Sequence, residues 1–284
     1  MPRATTTSNT NTDESTGRYP TDISSSLPAR PQIRDKRQIS LAAVTCLGAT
    51  SHPGLLMELD LPEPAPDNPP GPPYTRMVTS IERHWESVYQ QNDDELVGWF
   101  QAYPALSLRM VQDCTVSADA PIVDVGGGSS RLVDHLLQAG YTDVSVLDLS
   151  PTALHLAQKR LGARSQHVAW IEADVTEHRF ARKYRIWHDR AVMHFLVDPQ
   201  DEVRYVERLR HAIPTGGHAI IATFAPDGPQ RCSGLPVKRH SAQSMSQVLG
   251  AGFEPVRFEY ERHRTPSGSE QSFIYGWFRR ARDS

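Results

Sequence analysis

Apolar residues first take on a regular pattern near Ser80. Trp85, Val88 and Tyr89 share one side of a helical wheel, with His84 and Glu86 off it. Leu96, Trp99 and Phe100 follow, then Leu106, Met110 and Val111, so two or three N-terminal helices are predicted. From about Pro121 short apolar runs alternate with helical stripes. Strands are predicted at about 122–125, 144–147, 168–172, 184–189 and 218–224, with helices between them at about 130–138, 151–161 and 201–212. The first of these helices turns Leu132, Val133, Leu136 and Leu137 inward and ends at Gly140. Ser150-Pro151 marks the start of the next, with Ser as N-cap and Pro at the first helical position. The run His218–Phe224 is nearly all apolar, as a buried central strand requires. Two alternating segments, about Pro255–Glu261 and Ser272–Arg279, read as an antiparallel pair. The whole predicts an α/β fold: a doubly wound, Rossmann-like, mostly parallel seven-stranded sheet with an antiparallel terminal strand pair and N-terminal covering helices.

The first quarter of the chain does not share this pattern. Residues 1–76 are rich in Thr, Ser, Asn and Pro, with seven prolines between Leu61 and Pro73. Such a segment buries too little apolar area to offset its ordering entropy. We therefore divide the chain into a disordered Pro/Ser/Thr-rich extension, 1–76, and a folded domain, 77–284; translation from Met77 is the alternative. No apolar stretch in the extension resembles a secretory signal, and Ile39–Cys46 is too short to span a membrane. The early Asp13 and Glu14 argue against an organelle transit peptide.

A net charge of −3 gives no broad basic signature for nucleic acid. Cys46, Cys114 and Cys232 are scattered and odd in number, so neither a disulfide framework nor a metal site is expected. A reducing compartment, the cytoplasm, fits that usage.

The chemistry concentrates at two loops. Pro121-Ile-Val-Asp-Val-Gly-Gly-Gly-Ser-Ser130 reads as a buried strand, a glycine turn and a helix start. Val144-Ser-Val-Leu-Asp-Leu-Ser150 then places Asp148 at the end of the second strand, about 20 residues beyond the glycines. Amides at a glycine turn can meet an anionic group, and the acid can accept from ribose hydroxyls. Asp124, Asp148, Asp174 and Asp189 all fall at or near carboxyl ends of strands, where doubly wound sheets bind ligands. The run lacks G-x-G-x-x-G, which disfavours an NAD-type oxidoreductase.

Asp124, Gly126 and Gly128 fit acid-x-Gly-x-Gly instead, which resembles motif I of the class I S-adenosylmethionine (SAM) dependent methyltransferases, with Ser130 where a third glycine is common. The resemblance runs from about Arg83 to Arg280. It implies SAM as cofactor, with Gly126, Gly127, Gly128 and Ser129 passing the methionine part. Asp124 would hold the turn or the amino group. Asp148 would bind the ribose diol with Leu149 near adenine, and Asp174 with Val175 would meet the adenine edge. His84-Trp85-Glu86-Ser-Val-Tyr89 resembles the Trp-x-x-x-Tyr helix that caps SAM in several relatives, where aromatic faces gain cation–π attraction to the sulfonium.

Trp187-His-Asp-Arg-Ala-Val-Met-His-Phe195 occupies the motif IV region, which in this family faces substrate. Asp189 and His194 are the candidate catalytic residues, with His194 as base or orienting group and Arg190 as partner for an anionic substrate. Thr223–Asp227 is expected to complete the acceptor pocket, and Gln230–Pro236 to act as a lid. The expected enzyme is a SAM-dependent methyltransferase acting on a small molecule, with no nucleic-acid or membrane partner. The alternatives are a protein lysine methyltransferase and a catalytically silent SAM-binding domain. The Asp-Lys-Gly-Thr common in the lysine enzymes is replaced here by Asp189-Arg-Ala-Val192. The Asn/Asp-Pro-Pro-Tyr/Phe loop of amino-group enzymes is absent after the fourth strand, and Asn68–Tyr74 lies too early to serve as one.

Overall fold

The computed structural model describes residues 79–282, all within the unit Pro69–Ser284. The expected extension 1–76 and its boundary lie outside the described residues.

Seven strands form one sheet in the order β3-β2-β1-β4-β5-β9-β8. They are β1 (Ile122–Val125), β2 (Val144–Asp148), β3 (Val168–Glu172), β4 (Ile186–Arg190), β5 (His218–Phe224), β8 (Phe253–Arg264) and β9 (Glu270–Arg280), with β6 (Arg231–Cys232) and β7 (Leu235–Pro236) forming a separate small hairpin. β1 to β5 are parallel, and β9 runs antiparallel to both β5 and β8. The helices are α1 (Ser80–Gln91), α2 (Ala105–Asp113), α3 (Leu132–Gln138), α4 (Pro151–Leu161), α5 (Pro199–Ala212) and α6 (Ala242–Leu249).

Period-two alternation divides the core between the two faces of the sheet. Ile122, Ile186, Ile220 and Phe224 pack with Met110 and Val111 of α2, Leu132 and Leu136 of α3 and Leu154 of α4. Val123, Val125, Trp187 and Ile221 pack with Tyr205 and Leu209 of α5 and Met245 and Leu249 of α6. Each fully buried Leu or Ile here contributes about 1.5–3 kcal/mol.

Local chemistry sets the helix ends. Thr79 and Glu82 form a reciprocal capping box on α1. The Ser150 hydroxyl accepts from the Ala153 amide and Pro151 opens α4, as the sequence predicts. α3 ends in a Schellman motif: Tyr141 N–H donates to Leu136 O, and Gly140 N–H, at φ 91°, to Leu137 O.

Three elements differ from expectation. The run Leu96–Phe100 is turn rather than helix, because the Asp93 carboxylate accepts from the Glu95 amide at 2.9 Å and holds an Asx turn. Leu96 is 69% exposed as a result, while Trp99 packs inward. The closing strands are longer than predicted, and α6 was not anticipated. Among the described residues no helix is long and apolar enough to cross a membrane.

Candidate active site at the carboxyl end of the sheet

β1 and β4 are neighbours at the centre of the sheet, where the strand order reverses. A cavity of about 300 Å³ opens there, over the carboxyl ends of β1, β2 and β4. Three groups of residues line it. Gly126, Leu147, Asp148 and Leu149 come from the first two strand ends, and Ala173, Asp174, Val175 and Thr176 follow β3. Trp85 and Tyr89 of α1, with Trp99, form an aromatic side. Arg190, Ala191, Phe195, Leu196, Cys232, Gln271 and Phe273 line much of the remainder, with Asp201 at its edge.

The glycine turn is shaped by close approach. Gly126 has φ 66°, and a Cβ placed there would lie 2.0 Å from Val192 Cγ2. The amides of Gly126 and Gly127 both donate to Leu147 O, which ties the turn to the residue before Asp148. Arg160 of α4 secures the far side, donating to Ser129 O at 2.9 Å, Ser130 O at 2.7 Å and the Asp134 carboxylate. The turn is therefore braced before any ligand arrives.

Asp148 is buried, and its Oδ1 accepts from the Ser150 amide at 2.9 Å. Burial pushes its carboxyl up to about 7, with Asp124 and Glu86 adding repulsion against the pull of the Ser150 amide. A half-ionised carboxyl on a cavity wall gains from any donor that enters. Asp174 uses Oδ1 for the Thr176 amide and hydroxyl, each at 2.7 Å, and reaches the cavity beside Val175. Burial, reinforced by Asp148, keeps the Tyr89 phenol far above its ordinary value, so it stays neutral. Trp85 meets Trp99 and Phe195 edge to face, at 5.6 and 5.0 Å between ring centroids. Asp124, Gly127 and Ser129 border a smaller adjoining cavity of about 50 Å³.

Asp189 and His194, the residues expected to be catalytic, do not line this cavity. Asp189 is fully buried, and both its oxygens are engaged: Oδ1 by the Val192 amide, Oδ2 by the Met193 amide and the Tyr205 hydroxyl at 2.6 Å. Strand alternation turns it with Trp187 toward α5, away from the cavity. His194 is also fully buried, wedged between the rings of Phe195 and Phe224. Burial, then the Arg190 guanidinium and the neighbouring His240 imidazole, lowers its imidazole to about 3, which leaves it neutral. Thr223, Phe224 and Ala225 are fully buried and do not line the cavity. Arg190 does border the cavity. Its Nε donates to Tyr275 Oη at 2.9 Å, its Nη1 to Trp99 O at 3.1 Å, and its guanidinium lies 4.3 Å from the Phe273 ring. Within Gln230–Pro236 only Cys232 borders the cavity.

Several site residues were not anticipated. Phe273 and Gln271 sit on the last strand, far from any motif, and only the topology brings them in. Glu86 lies off the apolar stripe of α1, yet it accepts from Ser150 and Thr152.

Comparison with known proteins agrees with this geometry. Residues 122–217 match the family model described as a methyltransferase domain. The eEF1A lysine and N-terminal methyltransferase of Mus musculus is 25% identical over 149 residues, covering 50% of this chain and 21% of that protein. The chain thus spans about a fifth of the length of that curated relative. Among solved structures, one describing conversion of a disulfide bond into a thioacetal group during echinomycin biosynthesis superposes with a TM-score of 0.59 at 18% identity. It covers 72% of this chain and 94% of its own. The 1,6-didemethyltoxoflavin-N1-methyltransferase of Burkholderia thailandensis, holding its substrate and S-adenosylhomocysteine, gives 0.55 at 19% identity, covering 71% of this chain and 88% of its own. Strand order, glycine turn and matched segment agree with a methyltransferase domain over residues 122–217.

Proposed function

We propose that this protein transfers the methyl group of SAM to a small, apolar, flat acceptor. The observation that carries the reading is the division of the 300 Å³ cavity into two differently built halves. One half offers Asp148, Asp174 and the glycine turn, which suit a nucleoside with its hydroxyl and amino donors. The other is walled by Trp85, Trp99, Phe195, Leu196, Cys232 and Phe273. That wall suits a flat apolar molecule, and Arg190 beside it disfavours a protonated lysine.

The residues fit the cofactor. Asp148 would hold the ribose diol, Leu149 and Val175 the adenine faces, and Asp174 its amino edge. Gly126, Gly127, Gly128 and Ser129 would pass the methionine portion near Asp124, with Trp85 and Tyr89 over the sulfonium. SAM supplies an activated methyl that leaves its sulfur for an acceptor lone pair, releasing S-adenosylhomocysteine. What the chain adds is alignment and exclusion of water, and neither demands a dedicated base. The domain responsible is residues 77–284, preceded by the extension 1–76. The cytoplasm suits it, since Cys114 and Cys232 are buried free thiols.

The test uses methyl-labelled SAM, purified protein and a cell extract split into metabolites and proteins. Label entering metabolites supports the reading. Label entering protein promotes the lysine alternative, which the mouse relative's name favours. SAM binding without transfer points to a silent domain. Asp148→Ala is the control and is expected to cost about 2–4 kcal/mol of SAM affinity.

A further inference from the structure

Asp124 and His188 are register partners on β1 and β4. His188 Nδ1 lies 2.7 Å from Asp124 Oδ1, and His188 Nε2 lies 2.9 Å from Ser107 Oγ on α2. All three are at least 98% buried. A carboxylate only accepts, so Nδ1 carries a proton and donates to it, while Nε2 hydrogen-bonds the Ser107 hydroxyl. The chain Ser107–His188–Asp124 thus fixes one carboxylate oxygen through two successive hydrogen bonds.

The other oxygen is the informative one. Asp124 Oδ2 is buried and has no hydrogen-bond partner. Asp124 borders the 50 Å³ cavity together with Gly127, Ser129 and Arg131, next to the larger one and sharing Tyr89, Trp99, Gly126 and Arg190 with it. A Cβ at Gly127 would stand 2.7 Å from Oδ2, so the glycine leaves that approach open. A buried carboxylate oxygen without a donor is costly unless a ligand supplies one. The fitting ligand group is a cation with N–H donors.

We propose that His188, steadied by Ser107, is a positioning residue that aims the free oxygen of Asp124 at the ammonium group of bound SAM. This rests on reading the cavity as the SAM site. Ser107 and His188 also line the small cavity, but their polar atoms are engaged with each other and with Asp124, so both act through Asp124. Losing the imidazole frees the carboxylate to rotate or to pair elsewhere, and the cofactor's amino-acid end loses its partner.

The test compares two ligands on the full-length protein by titration calorimetry. S-adenosylhomocysteine keeps the amino-acid end, and 5′-methylthioadenosine lacks it. The wild type is expected to prefer the former. His188→Leu should weaken S-adenosylhomocysteine about tenfold while leaving 5′-methylthioadenosine within about twofold. His188→Asn, whose amide can replace the Nδ1 donor, should restore the preference, and Ser107→Ala should lose part of it. An unchanged ratio in folded His188→Leu, or equal weakening of both ligands, would overturn the proposal. If His188→Leu fails to fold, the ratio in Ser107→Ala decides in the same way. A wild type that binds both ligands equally defeats this inference alone, whereas one that binds neither defeats the cofactor reading and this inference with it.

Discussion

The Glu86 carboxylate accepts the Ser150 hydroxyl at 2.7 Å and so closes α1 onto the first turn of α4, directly behind Asp148. The same carboxylate accepts from the Thr152 amide at 3.2 Å and from the Thr152 hydroxyl. An acid at a helix N-terminus also complements the helix dipole. Burial alone would raise this carboxyl, but hydrogen bonds from Thr152 and Ser150 together hold it below its ordinary value. Its stabilisation is therefore present above the unfolded value of 4.5 and is lost as pH falls through the lower folded one. Glu86→Ala should cost about 1–2 kcal/mol of stability and weaken SAM binding, because α1 carries Trp85 and Tyr89. Thermal melting with a SAM titration checks both. A destabilised variant with unchanged SAM affinity would show that α1 does not cap the cofactor.

Gly126 and Gly140 share a positive φ but differ in their surroundings. A Cβ at Gly126 would overlap Val192 Cγ2 at 2.0 Å, while one at Gly140 would meet nothing within 4 Å. Alanine at Gly140 should therefore cost only backbone strain, about 1 kcal/mol. Alanine at Gly126 adds a clash and should cost about 2–4 kcal/mol, with lower SAM affinity as the turn shifts. Paired melting curves decide this. Equal losses at the two sites would mean that Val192 moves aside freely.

These two regions show what the sequence made legible. The strand starts and helix caps from Ile122 to Phe224 could be read directly, because buried parallel strands, Ser150-Pro151 and Gly140 are local signals. Asp148 and the glycines followed from one strand–helix–strand step. Phe273 and Gln271 could not be foreseen, since they enter the site through β9 inserting between β5 and β8. Glu86 could not be foreseen as a site residue because its partners lie over 60 positions away, at Ser150 and Thr152. The polar residues of β4 are ambiguous for another reason. Alternation separates His188 from Asp189, but it does not say which face of the sheet opens to the cavity.

Asp148 gives the site a pH dependence with a definite sign. Its carboxyl is raised to about 7 in the folded protein from an ordinary 3.8. The folded state then holds the proton more tightly than the unfolded chain. This term favours folding below the unfolded value and is lost as pH rises through about 7. Ligand binding runs the other way, because ribose hydroxyls need an ionised acceptor. SAM affinity should rise about tenfold from about pH 6 to about pH 8 and then level off. In Asp148→Asn the pH dependence should vanish and the ligand-free protein should melt higher at alkaline pH. Calorimetry across that range checks it. A flat profile in the wild type would mean that Asp148 is not the group meeting the ribose.

Asp189 and His194 offer the last contrast, between a buried structural role and a catalytic one. Burial raises the Asp189 carboxyl to about 6, against the pull of the Tyr205 hydroxyl and the Val192 amide. Asp189→Ala would strand two loop amides and the Tyr205 hydroxyl and should cost about 3 kcal/mol of stability. His194 has ring neighbours at 4.4 and 4.7 Å, and its Nε2 is buried without a partner. Phenylalanine matches that aromatic setting and removes the unpaired Nε2, at the loss of only a long 3.4 Å bond from the Phe224 amide to Nδ1. His194→Phe should therefore keep stability within about 1 kcal/mol and methyl transfer within about threefold, with the same pH–rate profile. Initial rates with labelled SAM and the acceptor fraction measure it. A loss of about a hundredfold at unchanged melting temperature would return His194 to the reacting centre, and would require Phe195 and Phe224 to part when substrate binds.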